Sequence, residues 1–168
     1  MAGPAEGTHV LTYFSHRASS RCDVTELLFA MSGKPFAIQR LVWADFVRLR
    51  TASREADAAT GDPASTENVS LPHGQLPVLS VPVGGGKVTC IGQNKTIVRY
   101  AAKLAGMYPN DDPLCAARAD SVLDRLDDLA VTRWYLAKDA AGKADVLRDI
   151  VEERLPPICS DIDLMVRE

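Results

Sequence analysis

Over the first hundred positions the apolar residues fall in short alternating or helically spaced runs, separated by small and polar ones, the pattern of an α/β chain. Residues 9–14 (HVLTYF) are β-branched and aromatic and predict a short buried strand. After the polar stretch HRASSR, residues 22–32 set Val24, Leu27, Leu28 and Met31 at helical spacing, with Gly33 and Pro35 as stop signals. Residues 36–42 alternate as a second strand. The chain therefore opens β-α-β, a unit that normally makes a right-handed crossover between parallel strands. Residues 51–70 are rich in Ala, Ser, Thr and Asp with almost no large apolar side chain. They predict a mobile surface insertion carrying one weak helical turn. Two apolar runs, 76–83 and 87–91, flank Gly84-Gly85-Gly86 and predict an antiparallel hairpin. A helix follows from about residue 94, with Ile97, Tyr100, Ala101, Leu104 and Ala105 on one face and Gly106 as its stop.

The pattern changes after Tyr108. Asp111-Asp112-Pro113 is a helix start, an acidic cap followed by proline at the first helical position. Beyond it nothing reads as a strand. Val122, Leu123, Leu126 and Leu129 mark one helix, and Val146, Leu147, Ile150, Val151 and Leu155 another. Pro156-Pro157 should break or kink the latter, leaving a last piece with Ile158, Ile162 and Met165. The chain thus divides into an α/β domain over 8–106 and an all-helical domain over 112–168, with a boundary at 107–112.

Composition narrows the function classes. With 46% hydrophobic residues the chain can fill a core, and a net charge of −3 offers no footprint for nucleic acid or an anionic membrane. No apolar stretch approaches the ~20 residues that span a bilayer. The start MAGPAEGTH lacks a basic patch and apolar core, which argues against a secretory signal. Cys22, Cys90, Cys115 and Cys159 are scattered without C-x-x-C pairs and read as reduced thiols of a cytosolic protein. His9, His16 and His73 are isolated too, so spacing assembles no metal site.

Four segments in order carry a more specific signal: LTYF, HGQLPVL, IGQNKTIVRYAAKLAGMY and ADSVLDRLDDL. Together they resemble a cytosolic glutathione transferase of the tyrosine-type, sigma-like class, over about residues 9–130 with a gap at 51–70. The resemblance implies a thioredoxin-like domain (β-α-β, β-β-α) and an incomplete all-α domain. It implies an enzyme that joins glutathione thiolate to a small hydrophobic electrophile, or isomerises a peroxide-type substrate. Glutathione would be the co-substrate, with no metal, and the protein a cytoplasmic homodimer joined through its third and fourth helices, free of nucleic acid and membrane.

The same resemblance assigns roles. Tyr13 would donate a hydrogen bond to the glutathione sulfur; only the thiolate attacks electrophiles, and a free thiol of pKa ~8.5 is mostly protonated at neutral pH. Ser15 and His16 lie close and would serve a serine-type site, but LTYF fits the tyrosine type. Arg21 falls where the family keeps an arginine near the tyrosine. Leu76, before a cis Pro77, would pair its backbone with the cysteinyl part of glutathione, flanked by Gln75. Gln93 and Asn94 open the third helix, whose N-terminus suits the γ-glutamyl carboxylate; most relatives have serine where Asn94 stands. Phe46, or alternatively Trp43, and Arg50 would meet the glycine end. Asp128 would reach across the dimer to the partner's glutathione.

Plainer accounts stand beside these: a strand tyrosine packed in the core, a strand-entry proline, an ordinary N-cap. GGGK at 84–87 has the wrong spacing for a phosphate loop and precedes a strand. Cys22 at a helix start keeps open a glutaredoxin-like thiol chemistry. Asp111-Asp112 and Asp127-Asp128 read as a cap and a solvated face. The family's later helices are not represented, which keeps open a natural short form or a fragment, and a non-catalytic binding or scaffold module. Leu126, Leu129, Trp134, Leu147 and Ile150 would then form an apolar patch.

Overall fold

The computed structural model describes residues 6–15, 21–60, 70–130 and 139–167. They form two compact units, one reaching to Tyr108 and the other starting at Pro109. In the first, β1 (His9–Phe14), α1 (Asp23–Ser32), β2 (Phe36–Leu41), α2 (Trp43–Thr60), β3 (Val78–Gly84), β4 (Lys87–Gly92) and α3 (Asn94–Leu104) follow one another. The sheet order is β2-β1-β3-β4; β1 runs parallel to β2 and antiparallel to β3, which pairs antiparallel with β4. This is a thioredoxin-like arrangement followed by an all-helical unit.

Alternation along β1 sorts the core into two layers. His9 meets Phe29 of α1 and Tyr100 of α3, so the odd positions face those helices. Leu11, Leu79, Phe29 and Ile97 are almost completely buried there. The even position Phe14 meets Phe46, and Phe46, Leu71 and Val78 build the core beneath α2.

The face of α1 differs from the expected one. Val24, Leu27 and Met31 are exposed, whereas Cys22, Thr25, Leu28 and Phe29 point inward. Two apolar stripes compete on this helix, and the one carrying the ring wins. Phe29 stacks on Phe36 with centroids 4.4 Å apart. Burying such a side chain contributes about 1.5–3 kcal/mol before the aromatic pairing adds its share. Gly33 ends the helix in the left-handed region at φ 65°, where glycine has no Cβ to clash.

Residues 51–60, expected to be irregular, instead continue α2, while 61–69 lie outside the described residues. Alanine, arginine and glutamate favour helix, and the helix needs only a narrow inner face. Ser53 supplies part of it: buried, it accepts a 3.0 Å hydrogen bond from the Leu71 N–H. That bond fixes the chain just ahead of a 3₁₀ turn at Pro72–Gly74. The β3–β4 hairpin turns on Gly85 and Gly86, both at positive φ as a two-residue primed turn requires.

In the second unit α4 (Pro113–Ala130), α5 (Ala140–Asp149) and α6 (Leu155–Arg167) are helical. Asp112 caps α4, its carboxylate accepting from the Leu114 and Cys115 amides at 3.0 Å. Arg125 donates to Asp161 at 2.8 and 3.0 Å, joining α4 to α6, and Ile158 is buried. The break or kink expected at the two prolines falls just ahead of them, as a change of helical winding. A π turn, Ile150–Arg154, leads into α6 and puts Pro156 and Pro157 in its first turn, where a missing N–H costs least. Of the expected apolar patch, Leu126 and Leu147 are exposed and Ile150 is half-buried. Leu129 and Trp134 fall outside the described side chains. Among the described residues no helix is long and apolar enough to cross a membrane.

Replacing Ser53→Ala leaves a buried amide without its acceptor and should cost about 1–3 kcal/mol. Urea unfolding checks this; a midpoint unchanged from wild type would show that Ser53 anchors nothing.

Candidate functional site

One transverse row of the sheet assembles the site. Thr12 of β1 lies opposite Val78 of β3, and Val78 opposite Gly92 of β4. One step past this row stand Tyr13, Pro77 and Gln93; two steps past stand Phe14, Leu76 and Asn94. Three stretches far apart in sequence thus end together. The β1–β3 ladder stops at Thr12↔Val78, so Leu76 sits just outside the paired part of the sheet. The Leu76-Pro77 peptide bond is cis.

Close packing holds the row's outer end. Gly92 is buried, and a Cβ there would lie 3.2 Å from both Cβ and the carbonyl oxygen of Pro72 and 3.3 Å from His73 Cδ2. Only a glycine lets β4 run this close to the 72–74 turn. Gln93 follows at φ 70° and ψ 119°, a backbone conformation that costs a non-glycine residue about 1–3 kcal/mol. The strain redirects the chain from β4 into α3. The first intrahelical bond of α3 runs from the Ile97 N–H to the Gln93 carbonyl at 3.0 Å. The amides ahead of it lie at the positive end of the helix dipole. Asn94 is half-buried, and its Oδ1 is buried without a hydrogen-bond partner among the described residues.

Tyr13 is half-buried at the end of β1. Burial pushes its phenol above the usual value, the neighbouring Cys22 adds to this, and the Arg21 and Arg40 guanidinium groups pull the other way. The result is a phenol that remains a hydrogen-bond donor at neutral pH. Arg21, exposed, is thereby close enough to act on Tyr13 electrostatically. Arg40 was not singled out in the sequence; it stands opposite Tyr13 in the β1–β2 register and is ion-paired with Glu26. The parallel pairing of the two strands is the signal that could have found it.

The aromatic candidates separate. Phe46 is only 5% exposed and packs edge-on against Phe14 at 5.1 Å, whereas Trp43 is 66% exposed and stacks on Phe14 at 5.8 Å. Phe46 fills core, and Trp43 is the exposed ring. Arg50 is half-buried with its Nε beside Gly74, next to the exposed Gln75. Asp128 belongs to the second unit and accepts from Arg125 Nη1 at 3.0 Å. Cys22 is fully buried at the N-cap of α1, and a thiol so enclosed gives the redox alternative no support. His16 lies outside the described residues.

Gly92→Ala should push the 72–74 turn away from β4 and cost about 1–3 kcal/mol. Thermal unfolding measures the loss; full stability in the variant would contradict the close approach.

No family model matches the chain. Hematopoietic prostaglandin D synthase of Gallus gallus is 27% identical over 153 residues, which are 91% of this chain and 64% of that protein. Among solved structures, rat hPGDS complexed with a quinoline superposes with a TM-score of 0.67 at 22% identity, covering 94% of this chain and 66% of that one. A Nu-class GST from Haemonchus contortus gives a TM-score of 0.55 at 25% identity, over 77% of this chain and 51% of that one. The chain therefore spans less than two thirds of the length of these relatives. Over nearly its full length the chain is thus similar in sequence to a prostaglandin D synthase, and it shares its fold with solved glutathione transferase structures.

Proposed function

We propose that the chain is a glutathione transferase of the tyrosine type, with Tyr13 as its catalytic residue. The observation that carries this reading is the convergence of Tyr13, Leu76-Pro77 and Gln93-Asn94 beyond one row of the sheet. In this reading the backbone of Leu76 pairs with the cysteinyl part of glutathione. The α3 N-terminus, opened by the strained Gln93 and by Asn94, takes the γ-glutamyl carboxylate. Arg50, Gln75 and the exposed ring of Trp43, rather than the buried ring of Phe46, meet the glycine end. Asp128 serves the partner's site in a cytoplasmic homodimer, and Arg21 adjusts the field at Tyr13.

The chemistry follows from the phenol. The glutathione thiol gives its proton to solvent, and the Tyr13 O–H donates to the resulting thiolate. The thiolate forms a bond to an electrophilic carbon, from which the leaving group departs with the bonding pair. The relatives named as prostaglandin D synthases support a second outcome, isomerisation of a peroxide-type substrate with glutathione regenerated.

One observation favours a second reading, a binding or scaffold module without efficient turnover. The Asn94 side-chain oxygen is buried without a hydrogen-bond partner among the described residues. Tight glutathione binding with no turnover of an aryl halide would establish that reading, and significant turnover would remove it.

Tyr13→Phe should lower kcat/KM for conjugation about 8- to 25-fold at pH 7, the loss of thiolate when a sulfur pKa held one to two units below ~8.5 returns to that value. The rate should rise with pH as the thiol ionises, and the variant's profile should lie correspondingly higher in pH. An undiminished rate with an unshifted profile would overturn the assignment.

The dimer is tested separately. Light scattering at micromolar concentration should give about twice the 18.2 kDa chain mass. A monomer mass would leave Asp128 with no partner site to serve.

A further inference from the structure

The odd face of β1 carries a titratable group that the proposed chemistry does not use. His9 opens the strand and is only 7% exposed. Its ring lies 5.1 Å from Phe29 of α1 and 5.9 Å from Tyr100 of α3, centroid to centroid. Its Nε2 is 3.1 Å from the Tyr100 hydroxyl. Its Nδ1 is buried with no hydrogen-bond partner among the described residues. One imidazole thus joins the first strand to both helices that cover this side of the sheet.

The neutral ring suits the place. With the proton on Nε2 it donates to the Tyr100 oxygen, and Nδ1 is left an acceptor with no donor among the described residues. Protonation puts a second N–H on Nδ1 and a full charge between two aromatic rings. A buried charge without a counterion is strongly disfavoured. The groups facing the imidazole do little to offset this. From α3 it meets the Tyr100 hydroxyl, and from α1 the uncharged ring of Phe29. From the α1–β2 turn come the Lys34 ammonium, which repels a cation, and the Pro35 carbonyl, which favours one. That carbonyl already accepts the His9 backbone N–H at 2.9 Å. On β2 the register partner is Phe36, and Glu26 of α1 is paired with Arg40. Burial dominates and holds the imidazole below the ordinary histidine value of 6.5.

We infer that His9 is an acid-sensitive latch, which fastens α1 and α3 to β1 while neutral and releases them when protonated. The sign follows from linkage. Well above pH 6.5 the ring is neutral in both folded and unfolded chains, and the latch is indifferent to pH. Below 6.5 the unfolded chain takes up the proton first, so stability falls with pH until the folded ring titrates in turn. Because α3 begins at Gln93-Asn94, loosening it disturbs that end of the site, although the latch itself does not depend on glutathione being the ligand.

The test is thermal unfolding of the 168-residue chain between pH 7.5 and 5.0, wild type against His9→Phe and His9→Gln. Carboxylates contribute the same acid slope to all three and cancel. The wild-type Tm should fall across this range by about 4 °C more than that of either variant. Amide exchange along α3 should accelerate in wild type at pH 5, relative to the second unit. Acid slopes that coincide would overturn the latch. If both variants fail to fold, proton NMR titration of the His9 imidazole in wild type decides. A midpoint below 6.5 is expected, and one at or above 6.5 contradicts the inference.

Discussion

The antiparallel pairing of β3 between β1 and β4 is the constraint on which the rest of the structure depends. A strand pairs in a fixed register, because a slip of one residue turns every side chain to the other face. With Val78 set between Thr12 and Gly92, the continuing chains have little choice of place. Tyr13 leaves β1, Leu76-Pro77 enters β3, and Gln93-Asn94 leaves β4, all at one end of the sheet. Hydrogen bonding across the sheet thus positions the site, and the side chains acquire their roles from it.

Packing on either face then holds that end rigid. Beneath α2, Phe46, Leu71 and Val78 form a core reached by Phe14, and the Ser53 hydroxyl fixes the chain at Leu71. Gly92 lets the 72–74 turn close over β4, and the strained backbone of Gln93 starts α3 at the correct angle. On the opposite face Phe29, His9 and Tyr100 tie both helices to β1. Strain at Gln93 and an unpartnered oxygen at Asn94 are costs that the surrounding packing sustains. They gather where a ligand is proposed, as such costs commonly do.

Much of this frame was legible in the sequence. The strands announced themselves by β-branched and aromatic runs, the hairpin by its three glycines, and α4 by Asp112-Pro113. What failed was local and has physical causes. The C-terminal half of α2 has few large apolar residues, and it is helical because alanine-rich sequence needs only one buried serine to anchor it. On α1 two stripes fit the helical period, and the choice fell to a ring stacked on a distant strand. Pro156-Pro157 predicts a break or kink, but the π turn that interrupts the helix just ahead of it has no local signature. The site residues were named through resemblance, but their convergence rests on non-local pairing that no local pattern encodes. Arg40 and Gly92 escaped notice for the same reason, one opposite Tyr13 in the neighbouring strand and one beneath a turn some twenty residues earlier in sequence.

On the proposed function, this end of the sheet binds glutathione and holds its sulfur as a thiolate beside Tyr13. The most direct measurement is calorimetric titration of the purified chain with glutathione, followed by an ultraviolet pH titration of the bound thiol. Saturable binding is expected, with a bound thiol that ionises about one to two pH units below free glutathione. A folded chain that binds no glutathione, or binds it with an unshifted thiol, would contradict the account.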